Sequence, residues 1–144
     1  MPSENDSVRQ PAQPAGNANL AALPPARINR TALAHVRDLA TADEPDPLPE
    51  LIALFLEDTP GRLAQMRRAV QLHDARALDS AAHSLKGSSA SLGAETMVGL
   101  CTRAMTSAAQ ADMSAARAIV NELELEFAAA KSLLEAELKA APGR

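Results

Sequence analysis

One histidine in this 144-residue chain has neighbours that suit covalent chemistry. Between residues 78 and 92 the small or apolar residues Leu78, Ala81, Ala82, Leu85, Ser89 and Leu92 recur at helical spacing and form one inward face. His83 falls about 150° from the centre of that face, so its ring points to water. Lys86, three residues on, brings an ammonium group near the imidazole. Gly87, four residues on, places no side chain beside it, and Ala90 continues the low strip. A mid-helix glycine costs about 0.5–1 kcal/mol relative to alanine, and a solvated helix face is normally Glu, Lys, Gln or Arg. A neutral imidazole nitrogen is nucleophilic near neutral pH. The strip therefore suits carriage of a phosphoryl group on His83. Lys86 would offset the phosphoryl charge, while Gly87 and Ala90 would let another protein's surface close on the site. Spacing alone leaves an unremarkable exposed histidine beside a stray glycine equally open. The surroundings favour an acidic partner: residues 62–117 hold seven Arg or Lys against four acids, whereas residues 27–61 hold three against seven.

The elements that position this strip follow from composition. Ala (32) and Leu (19) dominate, and Phe55 and Phe127 are the only aromatic residues, with no Trp or Tyr. Ala and Leu are strong helix formers, while strands favour aromatic and β-branched residues, so an all-β domain is excluded. Scarce aromatics and a formal charge of −4 argue against nucleic-acid partners that stack bases or bind by charge. Cys101 stands alone, which leaves no internal disulfide framework and no cysteine-based metal site. The N-terminus has no signal-peptide pattern and no stretch is apolar enough to cross a bilayer, so a cytoplasmic protein without direct membrane contact is expected.

Eight of the ten prolines precede residue 50. Residues 1–26, rich in Pro and Ala without periodicity, read as a flexible tail or linker, and residues 27–141 as one domain. Five helices are predicted. The first runs from about Asn29 to Ala40, with Ala32, Val36, Leu39 and Ala40 inward. The second runs from Leu48 to about Leu72. Its stripe of Leu48, Leu51, Ile52, Phe55, Leu63, Met66 and Val70 stays in phase across Thr59-Pro60-Gly61, which favours one helix kinked at Pro60. Asp74 caps the third, which Gly93 terminates. The fourth covers about Glu95 to Ala109, with Met97, Leu100, Cys101, Ala104 and Ala108 inward and Gly99 at a close helix contact. Asp112 caps the fifth, whose stripe is Ala116, Val120, Leu123, Phe127, Ala130, Leu134 and Leu138. Glu122, Glu124, Glu126, Glu135 and Glu137 fall largely off that stripe. Short connections give an all-α fold, an up-down antiparallel four-helix bundle with a short extra N-terminal helix.

The run Ala81-Ala82-His83-Ser84-Leu85-Lys86-Gly87-Ser88-Ser89, followed by Leu92-Gly93-Ala94, resembles the histidine-containing phosphotransfer (HPt) domain of bacterial two-component phosphorelays. Leu54-Phe55-Leu56-Glu57-Asp58-Thr59-Pro60 with Leu63, and Leu100-Cys101 downstream, extend the likeness over about residues 45–138. The resemblance implies a module that is not an autonomous enzyme, with His83 as phosphoacceptor, Lys86 supporting the phosphoryl charge and Gly87 giving a partner access. It implies response-regulator receiver domains and a hybrid sensor histidine kinase as partners, exchange of the phosphoryl group with receiver aspartates in both directions, and magnesium held by the receiver rather than by this chain. No cofactor is expected here, and the isolated domain is expected to be a monomer, tethered to the membrane only as part of a hybrid kinase. One departure is Ala104-Met105, where the family often has Leu-Glu; lying away from the strip, it bears on partner preference.

Other candidates are weaker. His35 sits at the edge of the first helix's apolar face, and His73 adjoins the cap Asp74 in a turn. A zinc site from the three histidines and Cys101 lacks a close ligand pair. Ser88, Ser89 and Ser91 have no G-x-S-x-G setting. No G-x-x-x-x-G-K-[ST] phosphate cradle is present, so the phosphoryl group must come from a partner. Two other readings stay open: an adaptor bundle that binds without phosphate, and the phosphotransfer domain of a chemotaxis-type kinase.

Overall fold

A computed structural model describes residues 28–140, so the reading of residues 1–26 as a tail or linker lies outside the described residues. Among the described residues five helices follow one another: α1 (Arg30–Arg37), α2 (Leu48–Gln71), α3 (Ala75–Ser91), α4 (Glu95–Ala109) and α5 (Met113–Ala140). Each of α2 to α5 packs against its neighbours in the chain, and α5 closes the ring on α2. This is the predicted four-helix bundle, with α1 as the extra N-terminal helix.

The three turns between α2 and α5 share one design. Each connection is three residues long: Leu72–Asp74, Leu92–Ala94 and Gln110–Asp112. The middle residue has positive φ, 55° at His73, 71° at Gly93 and 55° at Ala111. The third residue's N–H donates back over the helix end, Asp74 to the Ala69 carbonyl (2.8 Å), Ala94 to Ser89 (2.9 Å) and Asp112 to Ser107 (2.9 Å). These bonds satisfy carbonyls that a helix end leaves orphaned. Asp74 and Asp112 then cap the next helix, accepting from the N–H of Ala77 and Ala115 (both 3.0 Å). Only the middle turn uses glycine, and the reason is tertiary. A Cβ at Gly93 would lie 2.7 Å from the Asn29 carbonyl oxygen and 3.0 Å from the Cβ atoms of Asn29 and Ala32.

The helix phases place most of the core where the apolar periodicity put it. Ile52, Met66, Leu78, Leu85, Met97, Cys101, Leu123 and Leu134 are fully buried. Phe55 and Phe127 meet edge to face between α2 and α5, with ring centroids 5.9 Å apart. Helix α2 continues through Pro60, as the unbroken stripe predicted. Pro60 offers no N–H to the carbonyl one turn back. In the same turn the buried Thr59 hydroxyl donates to the Phe55 carbonyl at 2.7 Å.

Three expectations need correction. Helix α1 is shorter than expected and turned about its axis: Leu33 is its buried residue and Leu39 is 65% exposed. The reason is burial: Leu33, the largest apolar side chain of the helix, takes the core position with Val36 half-buried beside it. Arg30 and Arg37 of α1 also pair with opposite oxygens of Glu137 near the end of α5, each at 3.0 Å. Glu137 is buried too: expected largely off the α5 stripe, it lies seven residues beyond Ala130 and so only about 20° from that buried position. Third, Gly99 is exposed and an added Cβ there would meet nothing within 4 Å, so it marks no close helix contact. Near the end of the loop between α1 and α2 the Asp46 carboxylate accepts from the Leu48 N–H at 2.9 Å.

Candidate functional site

Helix α3 holds the strip. Its cap at Asp74 and its stop at Gly93 set its length, and burial of Leu78, Ala81, Ala82, Leu85 and Ser89 sets its rotation. That rotation leaves His83, Gly87 and Ala90 exposed and Lys86 half-buried. Among the described residues no side chain hydrogen-bonds to the His83 ring and no carboxylate pairs with Lys86. The positive charge of Lys86 is felt at Cys101 on α4. Burial pushes the Cys101 thiol up to about 12, and Lys86 pulls it partly back. An uncompensated ammonium one turn from an exposed imidazole offers its charge to an anion held on that ring.

Gly87 and Gly93 play opposite parts. Nothing lies within 4 Å of a Cβ built on Gly87, so no contact inside the fold demands its small size. The neighbouring hydroxyls also fold down onto the helix: Ser88 donates to the Leu85 carbonyl and Ser91 to the Gly87 carbonyl, each at 3.2 Å. The surface around His83 therefore stays low. Beside it, α2 and α3 form a groove of about 450 Å³ lined by Leu51, Leu54, Phe55 and Leu92, with Ser88 and Ser91 on its α3 side and Glu57 and Asp58 at its α2 edge. Leu54 is 54% exposed there. Sequence reasoning missed this apolar opening; the available signal was that Leu54 stands off the inward stripe of α2.

The other candidates do not join the strip. His35 is exposed on α1 and His73 is exposed in the α2–α3 turn. The three histidines thus sit on three separate elements. The described residues contain no cluster of three or more His, Cys, Asp or Glu side chains that could hold a metal ion. None of their helices is long and apolar enough to cross a membrane. The Ala104-Met105 departure falls mainly inside the bundle, since Ala104 is fully buried and Met105 packs against the core; it bears on packing more than on a partner's surface.

Fold and strip together define an all-helical module, a four-helix bundle with an exposed histidine and a low surface around it on one face. The match that specifies the class is to the family model described as the Hpt domain, over residues 50–136, and the chain belongs to that family. It is accordingly a histidine phosphotransfer module of two-component signalling. Among solved structures it is similar to histidine-containing phosphotransfer protein B (HptB) from Pseudomonas aeruginosa PAO1. The identity is 31% and the TM-score 0.72, and the match covers 79% of this chain and 96% of that one. No curated protein sequence matches.

Proposed function

We propose that His83 is the phosphoacceptor of a multistep phosphorelay, loaded by the aspartyl phosphate of one receiver domain and unloaded onto the aspartate of another. The observation that carries this reading is the exposed His83 ring, flanked by Lys86, which pairs with no carboxylate among the described residues, and by a Gly87 whose small size no contact among them requires. His35 lies outside the family match, and His73 has no such surroundings. In the transfer, a ring nitrogen attacks phosphorus with its lone pair. The bond from phosphorus to the carboxylate oxygen breaks, the carboxylate leaves with that electron pair, and the imidazole loses its remaining proton to solvent. The reverse sequence returns the group to a carboxylate. Lys86 holds the charge of the phosphoryl oxygens, and Gly87 clears the approach. Phosphoryl transfer of this kind depends chiefly on positioning and charge, and the magnesium ion that assists it belongs to the receiver in this reading.

The test is incubation with a radiolabelled phosphorylated receiver domain. The wild-type chain should take up an acid-labile label and His83→Gln should take up none. Equal labelling of the two would sink the assignment, and labelling by an ATP-binding kinase domain alone would shift it to the chemotaxis-type setting.

A further inference from the structure

Helix α2 carries a second bare position. Gly61 follows Pro60 in mid-helix and is exposed, and a Cβ built on it would meet nothing within 4 Å. Its φ is not positive, so neither packing nor backbone geometry demands glycine there. Helix stability argues for any other non-proline residue.

Its place on the surface is informative. Helices α2 and α3 are joined by a three-residue turn and run antiparallel. Asp58 shares one groove with Ser88 and Ser91, and Arg62 shares a second groove, of about 320 Å³, with Ser80 and Ala81. Gly61 lies between these two levels, at the height of the α3 turn that carries His83 and Gly87. At 100° per residue it lies about 20° from both Leu54 and Leu72 around α2. Those leucines are 54% and 60% exposed and line the two grooves. The face of α2 toward α3 thus carries an exposed leucine near each end and no side chain at Gly61 between them, with Glu57 and Asp58 at the first groove, Arg68 in the second and the Asp58–Arg62 ion pair (3.1 Å) flanking the bare position. Arg68 in the second groove and Arg76 on the His83 side of α3 have no carboxylate partner among the described residues, which suits an acidic partner.

We infer that Gly61 is a positioning residue for phosphotransfer: the receiver domain closes on the α2–α3 face over Gly61 and Gly87 together, seating apolar side chains at Leu54 and Leu72. This rests on phosphotransfer through His83. The test compares wild type, Gly61→Ala and Gly61→Gln with two donors, a purified phosphorylated receiver domain that labels the wild type and phosphoramidate, a small donor that needs no docking. Gly61→Gln should take label from the receiver at least tenfold more slowly and from phosphoramidate at the wild-type rate. Gly61→Ala should stay within twofold on both and melt at or above the wild-type temperature, which shows that the helix tolerates a side chain there. Wild-type labelling of Gly61→Gln by the receiver overturns the inference, as does an equal loss with both donors. If phosphoramidate labels the wild type and no receiver does, the relay reading itself fails.

Discussion

The contrast between Gly93 and Gly87 can be measured with one pair of variants. Gly93→Ala forces a left-handed φ of 71° on an L-residue, which costs roughly 1–2 kcal/mol. The new methyl group also lies 2.7 Å from the Asn29 carbonyl oxygen. Asn29 must then move, and its N–H loses the 2.7 Å bond to the Gly93 carbonyl, worth about 0.5–1.5 kcal/mol. The Asn29 side chain caps α1 through Thr31 and Ala32 and donates to Glu95 at 2.7 Å, so the shift loosens α1 as well. The expected loss is about 2–4 kcal/mol, which in a domain of this size lowers the melting temperature by roughly 8–15 °C. Gly87→Ala is the same chemical change in open helical space and should stabilise by about 0.5–1 kcal/mol. Thermal unfolding followed by circular dichroism reads both. A Gly93→Ala midpoint within about 2 °C of wild type would refute the account of the turn, and shifts of the same sign in the two variants would refute the division of roles.

Lys86→Ala should slow receiver-dependent labelling by about two- to fivefold and shorten the life of the phosphohistidine, the size expected for one partly exposed charge; unchanged kinetics would remove its proposed role. The buried Cys101 thiol, pushed up to about 12, should resist a thiol reagent at pH 8 until the chain unfolds. The unfolded thiol ionises near 9, so the native state should lose stability relative to Cys101→Ala as pH rises from about 9 toward 12 and show no such loss below that window. Glu137→Ala should release both arginines of α1 and cost about 1–2 kcal/mol, with faster amide exchange in residues 30–37 than in α2; uniform exchange would show that this ion-pair cluster does not hold α1.

Local signals carried most of the bundle. Helix α4 begins and ends where the sequence placed it, because Gly93 and the polar Gln110-Ala111-Asp112 turn bound an apolar stripe whose period alone identifies the buried face. The strip on α3 was legible for the same reason: once Leu78, Leu85 and Ser89 point inward, His83 must point out. Helix α1 was misread because eight residues with two sizeable apolar side chains, Leu33 and Val36, give a weak period, and the bond from Arg37 to Glu137, 100 residues away, leaves no local signal. Gly99 was misread because an exposed mid-helix glycine and one at a tight crossing look alike in sequence. The α2–α3 groove needed two helices in register, which neither helix encodes alone.

The ion pairs between α1 and Glu137 also bear on how the module can be hung. Arg30 at the start of α1 is bound to the last turns of α5, so the described chain enters and leaves the bundle at one pole. Among the described residues the opposite pole carries the tight turns at His73 and Ala111. A domain joined at either end would be leashed to the same pole, and the side of the bundle that bears His83 would stay in reach of it. A receiver leashed there by a flexible segment would meet His83 at an effective concentration of order millimolar, with the linker's length and stiffness setting how often the two meet.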